Sequence, residues 1–276
     1  MRSPFQSYVW QSQVFACDSN DLEHFQGLLS DETARLSMTA TCLGDTGRFP
    51  LMMYTSPAAN AHLPSVLVCA GFHGDEAAGP WGILKWLMAQ DASLFANVNL
   101  SLLPVVCPTA FRKGQKYNRQ GLDAFRGLVW QQGRAQGDEQ LSEEGAILLR
   151  HAQLLVAAGR DGMLCCGETP AGDHALLSSF EPRQQPGAFT QTLMDSLGQF
   201  FPLQPTALGQ ACEPNHSNSF NCFDGGFTAF MVRGGARFGA TATTPSSAAF
   251  DERVRAISGV ITGLMSQYRQ SVQRVG

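Results

Sequence analysis

Strand-like apolar runs alternate with segments of helical periodicity along most of the chain, and this alternation constrains the fold more than any other sequence feature. Parallel strands joined by helices need a sheet that helices cover on both faces. We therefore predict a three-layer α/β/α sandwich with a mixed, largely parallel sheet in a single domain, residues 1–276. Turn residues at 44–47 predict a hairpin between the first two strands. The predicted strands are residues 36–43, 49–55, 65–70, 98–106, 162–166, 227–233 and 238–243, and the predicted helices are residues 21–29, 81–88, 141–158, 191–201 and 248–268.

The composition excludes several classes of function. The 276 residues are 44% hydrophobic and 15% charged, which favours a compact globule over a disordered chain. The net charge is −4 and no basic run occurs, so we expect no nucleic-acid partner. No stretch approaches the roughly 20 apolar residues of a membrane helix, and the first 15 residues lack a secretory pattern. We expect a soluble, cytoplasmic protein without a membrane partner.

The cysteines do not indicate a disulfide framework. There are 8 of them, scattered through a long chain without a C-x-x-C pair. We predict that most are buried small hydrophobic residues.

The segment from Ala70 to Gly79 is the most informative for function. It follows an apolar strand, contains three glycines, and places His73 and Glu76 three residues apart where a helix begins. Ligand sites in open α/β sheets lie beyond the carboxyl ends of the strands, and zinc accepts imidazole nitrogen and carboxylate oxygen. The alternative is a purely structural role, in which His73 caps a turn and the Glu76 carboxylate is stabilised by the helix dipole. The flanking strand and glycines favour a metal-type site.

These residues resemble the first metal motif of the zinc metallocarboxypeptidase family, in its bacterial branch. Three further segments resemble family motifs. Residues 104–126 resemble the segment that reads N-P-x-G-F, then G-x-R-x-N, then G-x-D-x-N-R. Residues 161–169 resemble the strand that ends in L-H-E-D, and residues 241–245 resemble the strand that reads T-x-E-T-P. The likeness runs from about residue 36 to the end of the chain. It implies a carboxypeptidase-like fold and a zinc site with two histidines and one glutamate.

The sequence departs from the family pattern at the third metal ligand and at the catalytic base. Two alignments of the L-H-E-D motif are possible. If Glu168 matches its Glu, the ligand His corresponds to Gly167. If Glu168 matches its Asp, the ligand His corresponds to Cys166, whose thiolate can bind zinc. The catalytic Glu falls on Thr243, which cannot act as a general base near neutral pH. Glu168 is the nearest carboxylate that could substitute for it.

The substrate-binding segment departs as well. Lys116 replaces the Arg of G-x-R-x-N, and Phe125 replaces the Asn of the family's Asn-Arg pair. Arg126 matches the family arginine, whose guanidinium can hold a carboxylate in a bidentate pair.

Two functions follow from the resemblance and its departures. One is zinc-dependent hydrolysis of a peptide or amide bond near a free carboxylate. The other is a catalytically degenerate protein, with zinc weakly bound or absent, that binds a small peptide or acyl amino acid through Arg126 and Lys116 without hydrolysis. In either case we expect His73, Glu76, Arg126 and the pair Cys166 and Gly167 to line one cleft. His174, in the loop after the third motif, is expected to be a solvated histidine.

Overall fold

The computed structural model describes residues 19–131, 133–138, 140–170, 172–204, 206–208, 218–223 and 225–273. The helices are α1 Leu22–Arg35, α2 Ala78–Met88, α3 Pro108–Phe111, α4 Glu143–Arg150, α5 Ala152–Ala158, α6 Ala188–Gly198, α7 Phe227–Arg233 and α8 Phe250–Gln273, with a short 3₁₀ helix at Ala92–Ala96. The strands are β1 Thr39–Thr46, β2 Phe49–Thr55, β3 Ser65–Ala70, β4 Asn99–Leu103, β5 Leu128–Gln131, β6 Arg134–Gly137, β7 Gly162–Thr169, β8 Leu176–Phe180, β9 Thr206–Leu208, β10 Asn218–Phe220 and β11 Gly239–Pro245.

Within these ranges, one mixed sheet carries nine strands in the order β1-β2-β4-β3-β7-β11-β8-β10-β9. Its central strands β4, β3, β7 and β11 run parallel to one another. Strand β2 pairs antiparallel with β1 and β4, and β8 pairs antiparallel with β11. Strands β5 and β6 form a separate antiparallel hairpin. The predicted mixed, largely parallel sheet is confirmed.

The central strands are largely buried on both faces, and β3, which lies between β4 and β7, is apolar at all positions after Ser65. Val66 and Val68 of β3 pack in the core that also holds buried side chains of α1, α2, α6 and α8. Leu67 and Cys69 point to the opposite face, in the core that includes side chains of α4, α5 and α7. This alternation places a helix layer on each face and confirms the three-layer sandwich.

Several predicted elements differ from the structure. Residues 227–233 were predicted as a strand but form α7, because Phe227, Phe230 and Met231 recur at helical spacing and short apolar runs are ambiguous. The predicted helix 141–158 is two helices, α4 and α5, separated at His151. The predicted strand 98–106 ends at Leu103. Strand β1 continues through the predicted turn to Thr46, so the hairpin turns at positions 47 and 48.

The cysteines fulfil the prediction only in part. Cys69, Cys107, Cys165 and Cys166 are buried and free, but Cys42 is exposed. Cys222 is disulfide-bonded, which the sequence did not predict. Cys17 and Cys212 lie outside the described residues.

In the part of the chain that the structure describes, no helix is long and apolar enough to cross a membrane. The assignment of residues 1–276 to a single domain stays a prediction.

Candidate active site

The site lies where three parallel strands end at the same edge of the sheet. His73 follows β3, Gly167 lies near the end of β7, and Thr243 lies near the end of β11. Strands β7 and β11 pair so that Thr243 is directly opposite Gly167. Because the strands are parallel, the topology brings these distant positions into one site, as expected for an open α/β sheet.

Two glycines allow the loop after β3 to pass close to neighbouring backbone. Gly71 has φ +66°, a left-handed conformation that favours glycine. A Cβ on Gly74 would lie 2.0 Å from the carbonyl carbon of Ala110, which is far inside van der Waals contact. The Asn20 side chain donates hydrogen bonds of 2.7 Å to the carbonyls of Gly74 and Phe111 and fixes this contact. The glycines therefore set the position from which His73 and Glu76 project.

His73 lies between two carboxylates. Its Nδ1 is 2.6 Å from Glu76 Oε1, and its Nε2 is 2.8 Å from Asp123 Oδ1. Burial alone would lower the pKa of His73, but the hydrogen bonds and charges of the two carboxylates outweigh it and raise that pKa. Burial raises the pKa of Glu76, and the hydrogen bond and charge of His73 oppose the rise. The three side chains form one connected hydrogen-bond network.

Asp123 was not among the predicted site residues. It is the Asp of the segment that resembles G-x-D-x-N-R, so the motif itself was the signal that could have identified it. Its loop is held by Asn118, whose Oδ1 accepts from the backbone N–H groups of Gln120 and Leu122. The Asn118 amide donates at 2.6 Å to the fully buried Glu144 carboxylate on α4. These bonds fix the loop from which Asp123 reaches His73.

Gly167, rather than Cys166, faces this network. An ideal Cβ at Gly167 would lie 2.6 Å from Glu76 Oε2 and 3.6 Å from Thr243 Cγ2. Glu76 Oε2 instead accepts the backbone N–H of Glu168 at 3.2 Å. The Glu76 carboxylate thus lies where a side chain at position 167 would begin.

The alternative ligand, Cys166, lies on the other face of β7 because side chains alternate along a strand. It is 3% exposed and packs in the core with Leu164 and Ala70. Burial raises the pKa of its thiol well above the usual value, which disfavours the thiolate that would bind zinc. The geometry therefore argues against Cys166 as a metal ligand.

Glu168 also points away from the network and both of its carboxylate oxygens are engaged. Oε1 accepts the backbone N–H of Ala78 at the start of α2, at 2.8 Å, and Oε2 pairs with Arg253 on α8. The Glu168 side chain is only 2% exposed. These contacts give Glu168 a structural role, joining β7 to two helices, rather than the role of a substitute base.

Thr243 takes the position at which the family resemblance expects the catalytic glutamate. Its hydroxyl oxygen is buried and has no hydrogen-bond partner among the described residues. A threonine hydroxyl offers no basic group near neutral pH. Position 243 faces the network without supplying a proton acceptor.

The two predicted substrate-binding cations are Lys116 and Arg126. Of these, only Lys116 influences the hydrogen-bond network electrostatically. The Lys116 charge opposes the rise in the pKa of Glu76, and its Nζ lies 5.5 Å from the ring centroid of Tyr117. Arg126 is exposed and donates to the side chain of Gln140. The neighbouring Phe125 turns inward instead, with its ring 6.2 Å from that of His73.

The expected cleft is therefore formed in part. The structure brings His73, Glu76 and Gly167 together but places Cys166 and Arg126 elsewhere. His174 pairs with Asp173 at 2.7 Å in an exposed loop, as predicted.

The donor set does not complete a catalytic zinc site, which needs three protein ligands and an open position. His73 and Glu76 supply two donors, and Gly167 has no side chain to supply the third. Asp123 does not replace it, because Asp123 and Glu76 contact different ring nitrogens of His73. Both ring nitrogens of His73 are already engaged by carboxylates. No group of three or more His, Cys, Asp or Glu side chains able to hold a metal ion occurs among the residues that the structure describes.

The chain is similar in sequence and structure to known proteins. A family model described as the succinylglutamate desuccinylase/aspartoacylase catalytic domain matches residues 62–152, which include His73, Glu76 and Asp123. A search of curated proteins found no match to the chain.

Solved structures extend the likeness over almost the whole chain. A "putative metallopeptidase" from Shewanella baltica is 45% identical with a TM-score of 0.87, over 92% of this chain and 95% of that one. A second protein of that description, from Shewanella amazonensis, is 42% identical with a TM-score of 0.87, over 92% and 96% of the two chains. A metallo-carboxypeptidase from Burkholderia cenocepacia is 13% identical with a TM-score of 0.67, over 91% and 69%, and shares the fold.

The fold is therefore that of the metallocarboxypeptidases. The chain belongs to the zinc carboxypeptidase-like family of hydrolases, as its motifs indicated.

Proposed function

We propose that this protein is a catalytically degenerate member of its family that binds a small peptide or acyl amino acid through a free carboxylate and does not hydrolyse it. The observation that carries the proposal is the pair of Gly167 and Thr243, which face each other beside the Glu76 carboxylate. In the family pattern these two positions supply the third metal ligand and the general base.

The chemistry of hydrolysis explains why both substitutions matter. In a family member with the full ligand set, the histidines and the glutamate would hold a zinc ion that supplies Lewis-acid activation of carbonyl and water, and a carboxylate would accept the water's proton. Loss of the general base alone typically costs a factor of about 10²–10⁴ in rate. Glu168 is engaged by Ala78 and Arg253 on the opposite face of the strand. The carboxylates of Glu76 and Asp123, which do lie in the site, are both engaged by His73. The residues that the structure describes thus offer neither a full ligand set nor a free carboxylate as a replacement base.

The remaining site features support ligand binding. The rings of Phe72 and Phe125 pack edge to face, 5.9 Å apart, and Phe125 also contacts His73. Lys116 supplies a cation whose charge reaches Glu76. The family model is named for succinylglutamate desuccinylase and aspartoacylase. A ligand related to succinylglutamate would carry free carboxylates with which Lys116 could form an ion pair.

Hydrolysis is the second candidate function, and specific observations favour it. The family model's match spans the His73–Glu76 segment. The Shewanella baltica relative, at 45% identity, is described as a "putative metallopeptidase". Both functions predict a carboxylate-bearing ligand, so turnover and metal content distinguish them.

The first experiment measures zinc content and turnover in protein purified without chelator. We expect zinc well below one equivalent and no release of amino acid from succinylglutamate, other acyl amino acids or dipeptides, with or without added zinc. Zinc near one equivalent together with turnover that a chelator abolishes would instead establish the hydrolase.

The second experiment measures ligand binding by calorimetry. We expect succinylglutamate or another acyl amino acid to bind and its uncharged ester to bind less well. Lys116 is exposed, so Lys116→Gln should weaken binding by up to about fivefold, as loss of at most about 1 kcal/mol from a surface ion pair implies. Lys113→Gln, an exposed lysine in the same loop, is the matched control and should leave affinity unchanged. Equal effects of both variants would contradict a role for Lys116.

A further inference from the structure

Two cysteines that the site does not use lie side by side on neighbouring strands. Cys69 of β3 and Cys165 of β7 are direct partners in the parallel register. Their Sγ atoms are 2.9 Å apart, and both cysteines are free. Cys69 is fully buried, and Cys165 is 6% exposed. No other described pair of free cysteines has its sulfur atoms in such contact.

The backbone geometry at this pair is compatible with a covalent bond. Neighbouring strands in a sheet are about 4.8 Å apart, and the Cα atoms joined by disulfides are usually about 4.4–6.8 Å apart. Both side chains point to the same face of the sheet, into the core with Leu67 and Met163. Cys166, although adjacent in sequence, points to the opposite face. Of the two adjacent cysteines, only Cys165 therefore faces Cys69.

We propose that Cys69 and Cys165 are a dithiol that a small disulfide of the glutathione type oxidises to an intramolecular disulfide. The sulfur of the more exposed Cys165 attacks first and forms a mixed disulfide while one molecule of small thiol leaves. The Cys69 sulfur then displaces the second small thiol and forms the Sγ–Sγ bond. The two cysteines lose two electrons and two protons, and these reduce the small disulfide to two thiols.

The disulfide would covalently join β3 and β7, the two strands that lead to His73 and Gly167. Cys69 lies four residues before His73, and Cys165 lies two residues before Gly167. A cross-link between residues far apart in sequence restricts the unfolded chain and so raises the melting temperature. Cys222 is already disulfide-bonded, so this chain has a precedent for oxidised cysteine.

Burial sets the rate of this oxidation. It raises the pKa of the Cys69 thiol well above its usual value, with a contribution from the hydrogen bond to Cys165. A protonated, buried thiol reacts slowly. We therefore expect the disulfide to form over hours in native buffer, and faster in urea below the unfolding transition.

The test equilibrates the whole protein with mixtures of reduced and oxidised glutathione. Remaining thiols are then blocked, and the digest is analysed by mass spectrometry. We expect a peptide that links Cys69 to Cys165, with a combined mass about 2 Da below that of the two thiol peptides. The oxidised protein should melt about 5 °C above the form in which this bond is reduced.

Cys165→Ser and Cys166→Ser form a matched pair of variants at adjacent positions. The linked peptide should disappear in Cys165→Ser and persist in Cys166→Ser. If Cys165→Ser fails to fold, Cys165→Ala keeps the test intact, and the peptide from the unmodified protein is decisive by itself. Absence of the linked peptide at every glutathione ratio, glutathione adducts alone, or a link through Cys166 would each overturn the proposal.

Discussion

Replacing Gly167 with histidine tests the site most directly. An ideal Cβ at position 167 would lie 2.6 Å from Glu76 Oε2, so the carboxylate must move and lose the hydrogen bond from the Glu168 backbone. A hydrogen bond to a charged group contributes about 1.5–3 kcal/mol. One kcal/mol shifts the melting temperature of a large domain by about 2–4 °C. We therefore expect metal-free Gly167→His to melt about 5 °C below the unmodified protein.

Zinc should reverse this loss. The imidazole introduced at position 167 would add a third donor to those of His73 and Glu76. A ligand at a hundred times its dissociation constant stabilises the folded state by about 2.7 kcal/mol. Zinc should then raise the melting temperature of Gly167→His by about 5–10 °C, a change that scanning fluorimetry with zinc and with chelator can measure.

Gly167→Ala is the matched control, because it introduces the same Cβ without an imidazole. We expect it to lose similar stability and to show no response to zinc. An equal response of the two variants, or a response as large in the unmodified protein, would refute the assignment of position 167 as the missing ligand.

The remaining predictions concern activity, the buried ion pair and thiol reactivity. Thr243→Glu alone should remain inactive on small peptides, whereas Gly167→His/Thr243→Glu should show hydrolysis that a chelator abolishes, because ligand and base act as a unit. Turnover that is equal in both variants would contradict this. Glu168→Gln should lower the free energy of unfolding by about 3–5 kcal/mol in urea titrations, since it leaves the largely buried Arg253 cation without its carboxylate. A loss below about 1 kcal/mol would show that the pair behaves as a surface ion pair. Iodoacetamide should alkylate Cys42 well before the four buried free thiols in a peptide-mapped time course, because Cys42 is exposed and burial raises the pKa of three of the others. Equal rates would show that the interior opens readily.

The predictions of secondary structure succeeded where the local pattern had one interpretation. The run from Ser65 to Ala70 is too short and too apolar for a surface helix and precedes a glycine-rich turn, so it predicted a buried strand. The helix at Ala78–Met88 and the strand at Gly239–Pro245 were also correctly located. The prediction of a strand at Phe227–Arg233 was wrong because an apolar segment of seven residues fits either a strand or a helix. Its packing against α5 and β5 selected the helix.

The candidate site was predicted unevenly for a similar reason. His73 and Glu76 lie three residues apart, so local sequence predicted that they meet. Asp123 lies 50 residues from His73, and only the folded loop brings their side chains within 2.8 Å. The roles of Phe125 and Arg126 depend on which of two adjacent side chains turns inward, which the tertiary packing determined.

The sequence by itself determined the layered α/β architecture, because the periodicity of apolar residues dictates which elements form and which faces they bury. It also determined that position 243 carries no base and that the third ligand is missing or altered. Only the tertiary structure decided between Gly167 and Cys166, because that choice depends on the face to which each side chain of β7 points. It alone showed that Glu168 is paired with Arg253 and that Cys69 contacts Cys165, since both contacts join residues more than 80 positions apart.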